Sequence, residues 1–196
     1  MNKNDPVLTK KIIAGKFKGK TLKLPSKTTT RSSKAIVLES FFNTIQFDVI
    51  DAVVVEVFSG SGSIGLEALS RGAKKIFFME KDRLAIKMLR ENIAQTDPSA
   101  CEVFEGDSFE TIGQVKKRLQ SLNESAFVYI DPPFAYREGM EEIYDKTIRM
   151  IESFPQSSVT LFIIEHMSTL ELPESIGIYT KIKYKKFGKT SLTYYA

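Results

Sequence analysis

The sequence predicts an open α/β domain, a mostly parallel sheet with helices on both faces. Three observations predict it. From residue 52 onward, short apolar runs alternate with helix-length amphipathic segments. The first of these runs leads into a glycine-rich turn that opens a helix. Acids recur at or just after the ends of four successive runs, about one strand-helix unit apart.

In chain order, Lys11–Ala14 and Thr21–Leu24 are short runs separated by Gly15 and Gly19, and they read as a β-hairpin. Residues 33–47 read as a helix with Val37, Phe41, Phe42 and Ile45 near one face. Ala52–Val57 is a strand of the fully buried kind, Gly62–Ser70 a helix, and Lys75–Met79 a second strand. Residues 82–93 form a helix capped by Asp82. Cys101–Phe104 is a third, weaker strand, Phe109–Leu122 a helix and Ala126–Ile130 a fourth strand. Glu138–Glu152 reads as a helix with Met140, Ile143, Tyr144, Ile148 and Ile151 on one face, and Val159–Ile164 as a fifth strand. The last segments, Ile176–Lys186 and Ser191–Tyr195, alternate enough for an antiparallel pair. The boundaries suggest a basic extension over residues 1–33 and a main domain over residues 34–196.

Composition narrows the function classes. The chain has 196 residues, 42% hydrophobic and 27% charged, which is ordinary for one globular domain. No apolar run is long enough to span a membrane, and the N-terminal residues lack the apolar centre of a signal peptide. A lone cysteine, Cys101, excludes an internal disulfide and a cysteine-rich zinc site, and a reducing cytoplasmic compartment is the simplest reading. No amphipathic surplus points to an obligate interface, so a monomer is expected.

Charge is unevenly placed. Residues 1–34 carry ten Lys and Arg and one acid, a net +9, which leaves −5 for the rest of a chain whose total is +4. A second stretch without an acid holds Lys181, Lys183, Lys185, Lys186 and Lys189. Two basic poles around an acidic middle suit a polyanion.

The four acids are Glu56, Glu80, Asp107 and Asp131, at spacings of 24, 27 and 24 residues. In register, they would line one edge of the sheet, where open α/β sheets bind ligands. The glycine loop, Glu56 to Gly65, permits a tight turn and a close ligand approach. Gly60, Gly62 and Gly65 also satisfy the dinucleotide fingerprint, with Glu80 where a ribose-binding acid falls, so a nicotinamide cofactor is a rival reading. A carboxylate at Glu56, four residues before Gly60, instead suits a cofactor carrying an ammonium and a sulfonium, as S-adenosylmethionine does.

Asp131-Pro132-Pro133-Phe134 follows the fourth strand. An exocyclic amine on a base is a poor nucleophile because its lone pair is delocalised into the ring. Two acceptors held against its N–H bonds, the Asp131 carboxylate and the Pro132 carbonyl, favour an sp³-like nitrogen. Pro133 has no N–H to compete for them, and Phe134 can stack on the target base. Catalysis of this kind is positioning and electrostatics, with no general base of unusual pKa. The one histidine, His166, ends the fifth strand and reads as structural.

These residues resemble the class I, Rossmann-like methyltransferases, and within them the bacterial RsmD family of 16S ribosomal RNA guanine-N2 methyltransferases. The resemblance is carried by Ile12 to Gly19 with Leu24-Pro25 and Thr29-Thr30-Arg31, by Phe58 to Ala73, by Asp131 to Phe134, and more weakly by Phe187 to Thr190. It implies S-adenosylmethionine as cofactor. Glu56 and the loop Ser59, Gly60, Ser61 and Gly62 would hold its methionine part, Glu80 the ribose hydroxyls, and Asp107 with Ser108 the adenine, with Phe58, Lys81 and Asp131 in the same site. Asp131, Pro132, Pro133 and Phe134 would hold the flipped guanine. Lys11, Lys16, Lys18, Lys20 and Arg31 would contact the phosphates of 16S rRNA in an assembled or precursor small ribosomal subunit.

This chain departs from the family in having Glu56 where Asp is usual. It also departs at Ser32, Ala35, Ile36 and Leu38, which stand where the family has proline, an Asp-Arg pair and an arginine. Because related Pro-Pro-aromatic motifs serve several amino acceptors, methyl transfer to adenine N6 or to a protein glutamine stays open, as does a non-catalytic role in ribosome assembly.

Overall fold

The structure is a computed structural model and describes residues 8–24, 31–133 and 142–196. Phe134, the segment Ala135 to Glu138 and the first part of the helix expected from Glu138 lie outside the described residues, as does the side chain of Arg31.

An eight-stranded sheet forms the centre, in the order β5-β4-β3-β6-β7-β10-β9-β8. Its strands are β3 (Val53–Val57), β4 (Lys75–Glu80), β5 (Cys101–Glu105), β6 (Ala126–Ile130), β7 (Val159–Met167), β8 (Ser175–Ile176), β9 (Tyr179–Phe187) and β10 (Thr190–Tyr195). Strands β3 to β7 pair in parallel, and β10 runs antiparallel between β7 and β9. The runs Val53–Val57 and Ala126–Ile130 are buried at every residue, because helices cover both faces of a parallel sheet.

Strand alternation splits the core in two. On one face, Val54, Phe78, Tyr129 and Tyr194 pack with α1 (Arg31–Thr44), α2 (Ser63–Ser70) and α3 (Arg83–Ala94). On the other, Val55, Phe77, Val128 and Phe162 pack with α4 (Ser108–Leu122) and α5 (Ile143–Glu152). In α5 the inward stripe is Ile143, Tyr144, Thr147, Met150 and Ile151, with Ile148 only partly buried. Asp82 caps α3 through Ala85 N–H at 2.7 Å, and Asp107 caps α4 through Phe109 N–H at 2.9 Å.

The extension is a two-stranded antiparallel hairpin, β1 (Leu8–Lys11) with β2 (Thr21–Leu24). Lys11–Ala14 was expected as its first strand, but the strand runs from Leu8 to Lys11; beyond it Ile12 is buried and the backbone N–H groups of Ile13 and Ala14 are turned toward α2. The reason is a set of contacts with α2. Buried Glu67 accepts hydrogen bonds from the N–H of Ile13 at 2.7 Å and of Ala14 at 3.1 Å, and pairs with Arg71 Nε at 2.8 Å. Ser70 accepts from Lys16 N–H through its carbonyl at 2.7 Å, and from Phe17 N–H through its hydroxyl at 2.9 Å. Gly15 permits this approach: it sits at φ +81°, and a Cβ there would lie 1.7 Å from the Ser70 carbonyl oxygen. Ile12, Phe17 and Leu22 join the core of the main domain, so the hairpin is hydrogen-bonded and packed into that domain. Leu38, where the family carries an arginine, is 1% exposed in the same core. Among the described residues, no helix is long and apolar enough to cross a membrane.

Candidate active site

The site lies at the carboxyl ends of β3 and β6. Those neighbours bound the point where strand order reverses, since the chain leaves β3 for β4 on one side and reaches β6 on the other. The glycine loop follows β3 and the Asp131-Pro132-Pro133 turn follows β6, so strand pairing sets the two motifs side by side. The backbone nitrogen of Asp131 lies 3.5 Å from the carbonyl oxygen of Val57.

The loop is a chain of local constraints. Phe58 has φ +59°, and its ring meets Phe109 edge-on at 5.5 Å. Ser59 N–H donates to Met79 C=O at 2.9 Å, and Gly62 N–H to Ser59 C=O at 2.8 Å. Gly60 has φ +54° and open space where a Cβ would stand. The buried Ser59 hydroxyl has no hydrogen-bond partner among the described residues. A positive-φ glycine beside an open cradle, with an orphaned hydroxyl next to it, fits a bound polar cofactor.

Glu80 and Asp107 lie at the rim. The Glu80 carboxylate accepts from Gly60 N–H at 2.7 Å, and from Lys81 N–H and Asp82 N–H at 2.8 Å each. Asp107 lies 3.3 Å from Lys81 Nζ through the oxygen that does not cap α4. Asp131 is half-buried, Pro132 buried and Pro133 half-buried, while Ser61 and Ser108 are buried.

Glu56 departs from the expected arrangement. It was expected in line with the other three acids, at the methionine end of a cofactor. It lies instead beneath the loop, 4% exposed, with Ile64 N–H on one oxygen at 3.1 Å and Gly65 N–H on the other at 2.8 Å. The first turn of α2 is therefore held by an internal carboxylate. Burial pushes the Glu56 carboxyl up to about 8, against the opposing pull of the two N–H bonds. Helix N-termini are where dinucleotide folds seat pyrophosphate. Here the Ile64 and Gly65 amides are already taken by the Glu56 carboxyl and the Gly60 amide by Glu80, which leaves a pyrophosphate few donors and counts against a nicotinamide cofactor.

Several residues that shape the site escaped the sequence reading. Tyr129 OH donates to Glu165 at 2.7 Å, and both are buried one step behind Asp131. Asn92 donates to the carbonyls of Ser61 and Lys23 at 3.0 Å each and accepts from Lys23 N–H at 2.8 Å, joining the glycine loop to β2. Lys10, half-buried in β1, lies close enough to Glu56 to favour its charged form. Glu67 had a readable signal, a charge inside the apolar run of α2. His166, expected to be structural, is buried with its ring nitrogens 2.8 Å from Thr193 Oγ1 and 2.9 Å from Met167 O, and burial lowers its pKa.

Of the expected RNA contacts, Lys11, Lys16, Lys18 and Lys20 are exposed on the hairpin. The Lys16 and Lys20 ammonium groups lie 5.3 and 5.6 Å from the centre of the Phe17 ring, and Lys20 also donates to the Gln95 carbonyl.

The family model described as conserved hypothetical protein 95 matches residues 10–196. The chain belongs to that family. Its sequence resemblance to RsmD is thereby borne out, since one family member, ribosomal RNA small subunit methyltransferase D of Escherichia coli (strain K12), is 32% identical over 142 residues, 72% of this chain and 66% of the relative. A second relative, YlbH of Bacillus subtilis (strain 168), whose name assigns it provisionally to the rRNA methyltransferases, is 29% identical over 189 residues, 94% of this chain and 97% of its own length. Among solved structures, YhhF of Escherichia coli, provisionally named a methyltransferase, superposes with a TM-score of 0.76 at 26% identity, covering 95% of this chain and 97% of that one.

Proposed function

We propose that this chain is an S-adenosylmethionine-dependent rRNA methyltransferase that methylates the exocyclic N2 of a guanine in 16S rRNA, acting as a monomer on the assembled or precursor small ribosomal subunit. The observation that carries the proposal is the adjacency of the two motifs on neighbouring parallel strands: the Gly60 cradle after β3 and the Asp131-Pro132-Pro133 turn after β6. The names of the Escherichia coli and Bacillus subtilis relatives support the substrate class.

Ser59, Gly60, Glu80 and Asp107 would hold the cofactor, with Glu80 on its ribose and Asp107 near its adenine. When bound, S-adenosylmethionine supplies an electrophilic methyl group. The acids around the loop suit its positive charge. Glu56 works from below, fixing the two amides that open α2 and so the shape of the loop.

The rest is done by the turn. The Asp131 carboxylate and the Pro132 carbonyl accept the two N–H bonds of the target amine, which localises the nitrogen lone pair. The rings of Pro132 and Pro133 fix φ and keep that turn rigid, and Pro133 has no N–H to compete for the two acceptors. Phe134, the next residue in the motif, would stack on the flipped base. No residue has to abstract a proton before attack, because the amine becomes acidic only as it is alkylated; Asp131 or solvent then takes the proton.

The test combines cofactor binding and turnover. S-adenosylmethionine should bind the wild type, and Gly60→Val, which puts a branched side chain into the cradle, should abolish binding. Asp131→Ala should keep cofactor binding and lose methyl transfer to small subunits. Cofactor binding unaffected by Gly60→Val would overturn the site assignment.

A further inference from the structure

The second basic stretch of the sequence has no part in the site described so far. Residues 179–190 hold five lysines and no acid. They form β9 and its turn into β10. Strand β8 pairs only with Tyr179 and Thr180, so from Lys181 onward the outer edge of β9 has no strand partner among the described residues.

Alternation divides these side chains between the faces. Lys183 and Lys185 point toward α1, with Nζ 3.4 Å from Thr44 Oγ1 and 2.9 Å from Ser40 Oγ. Tyr184 and Lys186 take the other face, where the Tyr184 hydroxyl lies 2.9 Å from Ser191 Oγ. Tyr184 remains 48% exposed. Lys181 pairs with Glu174; no acid pairs with Lys183, Lys186 or Lys189 among the described residues. One or two lysines would be enough to blunt an edge strand against aggregation. A run of unneutralised cations beside an exposed aromatic is the pattern that tracks a nucleic-acid backbone and stacks its bases.

The register relates this edge to the reaction centre. Ser191 of β10 pairs with His166 of β7 on one side and with Lys186 of β9 on the other. Ile130 pairs with Ile164, and two residues beyond them stand Pro132 and His166. The row from Pro132 to Lys186 thus crosses three strand gaps at the carboxyl edge, about 15 Å at roughly 4.8 Å each. The N-terminal hairpin, docked on α2 and α3, lies on the opposite side of the Asp131 turn.

We propose that Tyr184, Lys186 and Lys189, at the edge and turn of the C-terminal hairpin, form a second docking surface for the phosphodiester backbone of the RNA substrate. The strand carrying the target base would run from the N-terminal hairpin, past Asp131, to this edge. The proposal rests on the reading that the substrate is RNA.

The test measures binding of a fluorescein-labelled single-stranded RNA of mixed sequence as a function of salt, alongside methyl transfer to small subunits. Lys186→Gln with Lys189→Gln should reduce the slope of log affinity against log salt by about 1.4, the share of two phosphate contacts on a single strand. Tyr184→Ala should weaken RNA binding about tenfold. Both variants should raise KM for subunits, with kcat, melting temperature and S-adenosylmethionine affinity within about twofold or a few degrees of wild type. As a control, Lys74→Gln with Lys117→Gln removes the same charge elsewhere and should leave the slope unchanged. An unchanged slope in the hairpin variant, or an equal loss in the control, overturns the proposal. Wild type that binds RNA through this edge but transfers no methyl keeps the surface and sinks the methyltransferase reading. Methyl transfer with an unaffected hairpin variant does the reverse.

Discussion

Replacing Glu56 with glutamine tests whether this carboxyl holds the glycine loop from beneath. In the wild type both oxygens accept backbone N–H groups, from Ile64 and Gly65. A glutamine presents one oxygen and one NH₂, so one of those buried N–H groups loses its acceptor, at a cost of about 1–3 kcal/mol. For a domain of this size, that lowers the melting temperature by roughly 2–4 °C per kcal/mol. The wild type also titrates, and the glutamine variant does not. The folded-state value of Glu56 is about 8, against 4.5 for an ordinary, solvated Glu side chain. Between those values, the folded chain holds a proton that the unfolded chain has lost. The contribution of Glu56 is therefore fully present below pH 4.5 and is lost as pH rises toward 8, with a slope of at most about 1.4 kcal/mol per pH unit and an upper bound near 5 kcal/mol in total. Thermal or urea unfolding of both proteins from pH 5 to pH 9 measures it. The wild type should be the more stable at pH 5, and its advantage should shrink or reverse by pH 9. A difference that stays constant, or grows with pH, would refute the dominance of burial over the two N–H bonds in setting the charge of this carboxyl.

Gly15→Ala forces a Cβ into the Ser70 carbonyl at a left-handed backbone position. Left-handed strain plus the loss of the Lys16 and Phe17 hydrogen bonds to Ser70 amounts to about 3–5 kcal/mol, and amide hydrogen exchange should quicken across residues 8–24 first. Asp131→Asn should cut methyl transfer by about a hundredfold or more, the scale for removing one charge-stabilising group, with S-adenosylmethionine affinity nearly unchanged in a calorimetric titration. The Cys101 thiol is pushed up to about 12, first by burial and then by Asp97, so iodoacetamide should label the folded protein at pH 8 at least a hundredfold more slowly than the urea-unfolded chain.

The sheet was legible because its strands are local events. Ala126–Ile130 is apolar throughout, Val53–Val57 is apolar but for Glu56, and both are bounded by breakers, so their positions could be read to within a residue. The fifth strand was expected over Val159–Ile164, where the apolar run ends, with His166 just beyond it. It continues to Met167, since Tyr129 and Thr193 satisfy the Glu165 and His166 side chains in the interior. Partners 27 and 36 residues away are invisible to periodicity. The same limit explains β1, whose residues LTKK carry almost no apolar signal, while Ile12 was read as strand when it plugs a turn against α2. In the site, the juxtaposition of the glycine loop with Asp131 followed from strand order, which the spacing of the acids foreshadowed. The burial of Glu56 did not follow, because sequence spacing places a residue along a strand but does not say what covers its side chain.

The most direct measurement is the identity of the methylated nucleoside. Small ribosomal subunits from cells lacking this protein would be incubated with the enzyme and S-adenosylmethionine labelled in its methyl group, then digested to nucleosides. Label in N2-methylguanosine from a single 16S rRNA position, absent with Asp131→Ala, is the predicted result. Label in N6-methyladenosine or in protein, or none at all despite cofactor binding, would contradict it.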